Sequence, residues 1–188
     1  MVRAMWNEVA SCRILDASDV KRVAKSAGES ARASNTDVLI SSTRFRRYVR
    51  ELKTLNADVV RSGGMPLTAI DLAHAHLNGR AGRELRAAVD ISALREIGAF
   101  FTGEALADAV VQRALSFGND ACFVDPSCGC GDLLLAAARR MEVERGLDDT
   151  LKAWGARLSG ADLVPEFVDT ARERPLKEAG RLRPSRLQ

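Results

Sequence analysis

Cys122-Phe-Val-Asp-Pro-Ser-Cys-Gly-Cys-Gly-Asp-Leu-Leu-Leu135 combines three signals in a fixed order. A short apolar run, Ala121 to Val124, ends in an acid at Asp125. A turn of small residues follows from Pro126 to Gly131, and a helical pattern begins at Asp132. Strand, glycine turn and helix in that order are how α/β folds hold a nucleotide-like ligand at the carboxyl end of a strand. Gly129 and Gly131 lack Cβ atoms where backbone must pass close to a ligand, and they tolerate positive φ. Asp125, at the strand tip, can accept hydrogen bonds from an ammonium or a hydroxyl. A G-x-G pair alone is common, and a plain βα turn accounts for it equally well. The longer string Asp-Pro-Ser-Cys-Gly-Cys-Gly-Asp-Leu-Leu is far more specific.

That string resembles motif I of the S-adenosylmethionine-dependent N6-adenine DNA methyltransferases of restriction–modification systems, of the type D-P-x-C-G-x-G-x-L-L. Two further segments resemble the same family in the right order. Gly98-Ala-Phe-Phe-Thr-Gly-Glu-Ala-Leu-Ala107 is similar to motif X, and Gly160-Ala-Asp-Leu-Val-Pro-Glu-Phe-Val168 is similar to motif II. The likeness covers roughly residues 97 to 174. It implies a Rossmann-like class I methyltransferase fold holding S-adenosyl-L-methionine. The loop Pro126, Ser127, Cys128, Gly129 and Gly131 is then expected around the methionine moiety, with Asp125 on its ammonium group. Phe101 and Thr102 are expected against the methionine end, Thr102 facing the carboxylate. Asp162 is expected on the ribose hydroxyls and Leu163 on the adenine face. One departure stands out: many relatives have proline where this chain has Gly103, which implies a looser turn.

The residues by themselves point the same way at two of these places. Phe100-Phe101-Thr102 precedes a helical pattern, and the amino end of a helix favours an anion; Thr102 as a plain N-cap is the alternative. An acid ending a second strand suits a bidentate hold on ribose. The alternative for Asp162 is the N-cap of the next helix.

A chain of 188 residues suits one domain or slightly more, and 46% apolar with 28% charged residues is ordinary for a globular protein. No apolar run approaches the roughly 20 residues that span a bilayer, and the start lacks a signal-peptide core, so the expected location is cytoplasmic. Cys12, Cys122, Cys128 and Cys130 are expected as reduced thiols, without a histidine nearby to complete a zinc set. Five of the 28 basic residues are lysine and 23 are arginine. Arginine suits phosphate contacts, although base composition of the gene explains such a bias equally well.

In chain order, residues 1–96 read as a helical amino-terminal region. A short helix is expected over 17–27, with Val20, Val23, Ala24 and Ala27 on one face. A break follows from Gly28 to Asn35. A longer helix from about Thr36 to Val60 puts Phe45, Tyr48, Val49, Leu52 and Leu55 together. Its other face carries Arg44, Arg46, Arg47, Arg50 and Lys53, which reads as a solvated surface or as a stripe on DNA phosphates. Pro66 opens a helix ending near Leu77, and a further helix is expected over Arg83–Glu96. His74 and His76 lie about 200° apart on their helix and cannot share a metal.

Residues 97–174 read as a partial cofactor-binding domain. Its first helix, about Gly103 to Leu115, is expected to bury Leu106, Ala109, Val110, Ala114 and Phe117. Motif I gives a strand and a helix with Leu133, Leu134, Ala137, Ala138 and Met141 inward. Further elements are a helix over Leu147–Ala156, a strand over Leu158–Leu163, and a helix opening at Pro165 with Phe167, Val168 and Ala171 inward. Pro175 is expected to interrupt that helix, leaving residues 175–188 as a disordered tail rich in arginine and proline. The fold class is thus α/β, a helical region followed by two parallel strands with flanking helices.

Transfer to an exocyclic adenine nitrogen needs polar acceptors for the amine protons and a ring to stack on the flipped base. The family supplies them with an N/D/S-P-P-Y/F loop after its fourth strand. No Pro-Pro pair occurs in these 188 residues, so no catalytic residue is assigned. The expectation is a cofactor-holding portion, truncated or split, that needs a complementary catalytic chain to act on DNA. Two parallel strands alone should also expose an edge. Two other classes stay open. One is a non-catalytic DNA- or protein-binding helical module with a vestigial cofactor fold. The other is a dinucleotide-binding oxidoreductase fragment, which lacks the third glycine of G-x-G-x-x-G because position 134 is Leu.

Overall fold

A computed structural model describes residues 43–96, 99–114 and 122–182. The expected helix over 17–27, the break after it, Leu115, Phe117, and residues 183–188 lie outside the described residues. Helix α1 (Thr43–Ser62) buries Phe45, Tyr48, Leu52, Asn56 and Val59, which recur every three or four residues along one side. It stops at Gly63, whose φ of +66° lets the chain turn. A 3-10 turn (Leu67–Ala69) leads into α2 (Ile70–Leu77). Gly79, at φ +65°, separates α2 from α3 (Arg80–Arg86).

The helix expected over Arg83–Glu96 is two. After α3 the chain turns, and α4 (Ile91–Glu96) restarts behind Asp90, whose Oδ1 accepts the Ser92 N–H at 2.9 Å. That capping bond favours a new start over continuation of the old helix. On α1, three cations of the expected basic face are paired: Arg44 with Glu84 at 2.6 Å, Arg47 with Glu51 at 3.1 Å and Lys53 with Asp169 at 3.1 Å.

The second part comprises α5 (Glu104–Ala114), β1 (Phe123–Asp125), α6 (Asp132–Ala138), α7 (Leu147–Gly155), β2 (Leu158–Gly160) and α8 (Pro165–Leu182). The strands pair in parallel with Phe123 opposite Leu158, Val124 opposite Ser159 and Asp125 opposite Gly160. The class is therefore α/β, helices packed around a small two-stranded parallel sheet. Parallel pairing turns the main-chain groups of Phe123 and Asp125 toward β2: Phe123 N–H reaches Arg157 O at 2.7 Å, and Asp125 O accepts from Ala161 at 2.9 Å. The N–H and C=O of Val124 therefore point away from β2. Val124 itself is 61% exposed.

Two further expectations are corrected. On α5 the buried residues are Ala107 and Val111, whereas Leu106 and Val110 are 58% and 44% exposed and Ala109 and Ala114 are exposed too. Glu104 and Asp108 fix this phase by pairing with Arg139 and Arg140, just beyond α6, at 2.8 and 3.0 Å. The stripe 104/107/108/111 therefore faces α6. Residues 175–182 are not a disordered tail: α8 runs through Pro175, and Pro175, Lys177, Glu178, Ala179 and Gly180 are buried. An interior proline costs a helix about 3 kcal/mol, and tertiary packing offsets it here. Gly180 sits so close to α1 that an added Cβ would collide with Val59.

Apolar clusters run across residue 96. One apolar cluster joins Val59, Met65 and Ala73 to Ala136, Leu158 and Ala179; another joins Phe45, Tyr48 and Leu85 to Cys130, Val164 and Phe167. Among the described residues, no helix is long and apolar enough to cross a membrane.

Candidate functional site

The two strand tips are tied together beyond the last sheet residue. Ala161 donates its N–H to Asp125 O at 2.9 Å, and its own carbonyl accepts from Cys128 at 2.8 Å. The Gly129 N–H then reaches Asp162 Oδ2 at 2.8 Å. Gly129 sits at φ +51°, which a side chain would strain. These bonds hold the Pro126–Gly129 loop between the tips of β1 and β2, beside a cavity of about 350 Å³. The Phe100–Phe101–Thr102 turn and Leu133 of α6 complete its walls.

Nine of the ten expected binding residues line this cavity: Phe101, Thr102, Asp125, Pro126, Ser127, Cys128, Gly129, Asp162 and Leu163. Gly131 does not. It lies behind the loop at φ +81°, where a Cβ would come within 3.0 Å of the Ala171 Cα. Its work is to let α6 pack on α8.

The cavity is acidic. Asp125, Asp132 and Asp162 line it, and among the described residues no lysine, arginine or histidine does. Asp125 is buried, and its Oδ1 accepts the Ser127 N–H at 3.1 Å. Burial pushes its pKa above the usual aspartate value, the Asp162 charge adds to the rise, and the Ser127 amide draws it back. Asp162 accepts twice from backbone, at Oδ2 from Gly129 and at Oδ1 from Val164 at 3.0 Å. It thus holds the loop and caps the approach to α8. A carboxylate oxygen has two lone pairs, so each can still accept a hydroxyl. Cys128 is a thiol, not a thiolate, with its pKa pushed up to about 12 by burial and by Asp162 and Asp125. Among the described residues no group of three His, Cys, Asp or Glu side chains could hold a metal ion.

The turn opposite the loop is held by Gly103. Its N–H donates to Asp132 Oδ2 at 2.9 Å, and its φ is +74°. Proline could do neither, since it lacks the N–H and fixes φ near −65°. The departure from the resembled motif therefore does not loosen the turn; it anchors it differently. Gly103 O also accepts the Ala107 N–H at 3.1 Å, so Gly103, not Thr102, is the N-cap of α5. Phe101 is braced from behind by Phe167 at 5.7 Å between ring centres, and Phe167 in turn meets Phe45 of α1 at 6.0 Å.

Several lining residues were not assigned to the site from the sequence: Phe100, Asp132, Cys130 and Phe167. Phe100 is exposed at the rim. Asp132 could have been noticed as an acid in the first turn of the helix after a glycine elbow. Phe100 offered no signal beyond sitting beside Phe101. No protein-family model, curated protein or solved structure matches the chain.

Proposed function

We propose that this chain binds S-adenosyl-L-methionine between its two strand tips and is the cofactor-holding portion of a site-specific adenine DNA methyltransferase. In this reading the two strands belong to a Rossmann-like class I methyltransferase fold, and the protein works in the cytoplasm on DNA. The loop that takes the adenine amine protons comes from polypeptide outside these residues or from a partner chain. One observation carries the reading: Asp125, ending β1, and Asp162, just beyond β2, line one cavity to which no basic side chain among the described residues contributes. Such a lining favours a ligand bearing ammonium and sulfonium charges and disfavours the phosphates of a dinucleotide. A volume of about 350 Å³ is within the usual range of about 300–1,000 Å³ for small-molecule sites.

Within this reading Asp125 receives the ammonium group, the Pro126–Gly129 loop passes along the methionine chain, and Thr102 meets the carboxylate. Asp162 takes the ribose and Leu163 the adenine face. Isothermal titration calorimetry is the test. S-adenosylmethionine is expected to bind and NAD not to. Binding should weaken as pH falls through the raised pKa of Asp125, at a higher pH than an ordinary aspartate would give. Asp125→Asn should weaken binding by roughly 10- to 100-fold, the size of a lost charge-assisted hydrogen bond, and remove that pH dependence. NAD binding in place of S-adenosylmethionine would sink the proposal. Methyl transfer to DNA by the chain alone would overturn the assignment of the chemistry to other polypeptide.

A second reading, a helical module that keeps the fold without using the cofactor, is favoured by the two backbone amides already on Asp162. It predicts that Asp125→Ala leaves the protein's biological effect unchanged.

A further inference from the structure

Arg174 is a buried cation, its side chain only 2% exposed, that does not itself line the cavity but bonds two residues that do. From α8 its guanidinium reaches three elements at once. Nη1 donates to Cys130 O and to Asp132 Oδ1, both at 2.7 Å, and Nη2 donates to Leu77 O at 2.6 Å. The last is a carbonyl in the final turn of α2, one of the helix-end acceptors that need an outside donor. Asp132 spends its other oxygen on the Gly103 N–H, at 2.9 Å. A continuous path of charge-assisted hydrogen bonds therefore runs from α8 through Asp132 to the Phe101–Thr102–Gly103 turn.

Nothing else among the observed hydrogen bonds ties the Gly103 amide. The turn reaches the cavity through Phe101 and Thr102, whose positions follow from the φ and the anchoring of Gly103. Asp132 also lines the cavity, but Arg174 offsets its charge. Among the described residues it is thus the lining acid whose repulsion of an anionic group is compensated, and its Oδ2 holds the turn. Asp125 and Asp162 have no such cation among their observed hydrogen-bond partners.

We propose that Arg174 and Asp132 are positioning residues that set the Phe101–Gly103 turn for the carboxylate end of the ligand, while Asp125 and Asp162 serve its cationic and ribose parts. The inference rests on the cofactor reading above. It divides the cavity into a neutralised end, which accepts an anionic group, and an acidic end, which demands a cation.

The test uses the full chain and three ligands: S-adenosylmethionine, S-adenosylhomocysteine and 5′-methylthioadenosine, which lacks the amino-acid end. Asp132→Asn is expected to weaken the first two by about tenfold, as the loss of a charged hydrogen-bond acceptor implies, and to leave methylthioadenosine within about twofold. Arg174→Lys, which keeps the charge but not the fork, should show the same split more weakly. Thermal melts report whether each variant folds. Equal loss for all three ligands, or no loss for any, overturns the positioning role while leaving the cofactor reading standing. If the wild-type chain binds none of the three, the cofactor reading fails, and the ligand half of this inference falls with it. Hydrogen exchange at the Gly103 amide then decides the remaining half. Faster exchange in Asp132→Ala at unchanged exchange of the α6 interior supports the anchor, and unchanged exchange at Gly103 overturns it.

Discussion

Arg174→Leu is expected to lower stability by about 3–5 kcal/mol, the usual cost of removing one member of a buried ion pair. The substitution strands the Asp132 carboxylate and leaves Cys130 O and Leu77 O without their donors. Each of these acceptors lies on a different element, so the loss is felt by α2, the glycine loop and α6 together. For a chain of this size the melting temperature should fall by roughly 6–20 °C. Adding Asp132→Ala to Arg174→Leu should cost less than the sum of the two single changes, because the second removes the charge that the first left unpaired. Strict additivity in urea denaturation would mean that the two residues do not act as a pair.

Gly131→Ala is the second large effect. Two penalties combine: a φ of +81°, which disfavours any side chain, and an Ala171 backbone atom 3.0 Å from where the Cβ would stand. The first costs about 1–2 kcal/mol and the second about 1–3 kcal/mol, so about 2–5 kcal/mol in all. Gly63 isolates the first. It has a comparable φ of +66° with nothing within 4 Å of an added Cβ. Gly63→Ala should therefore cost only the backbone strain. If the two variants melt together, the close approach of α6 to α8 at Gly131 has no energetic weight.

The parts of the fold that were legible in the sequence are those where one residue type can serve one purpose. Asp125 closes an apolar run, Gly129 and Gly131 both take positive φ, and Asp162 follows a second short strand, which ends earlier than expected, at Gly160. Helix α5 was not legible, for a physical reason. Ala105, Leu106, Ala107, Ala109, Val110, Val111 and Ala114 put apolar atoms on most of its circumference. Periodicity then admits more than one phase, and the arginines 139 and 140 that choose between them lie elsewhere in the chain.

The end of α8 failed to register because its buried face is built from Arg174, Lys177 and Glu178 rather than from leucines. Glu178 is completely buried and holds Arg181 at 3.0 Å. A rule that seeks hydrophobic stripes passes over such a face. Yet Arg174 stands on the same side as Phe167 and Ala171, seven and three residues before it, so its inward direction was readable even though its partners were not.

The seam between α1 and α8 joins residues more than a hundred positions apart: Lys53 meets Asp169 and Asn56 meets the Glu173 carbonyl, separations of 116 and 117 residues. On the ribosome, α1 therefore emerges on the order of ten seconds before the helix that covers it. Until then Phe45, Tyr48 and Leu52 lack their final cover, and the nascent segment is open to chaperones and proteases. Closure of the α1 core is gated by the emergence of α8 from the exit tunnel.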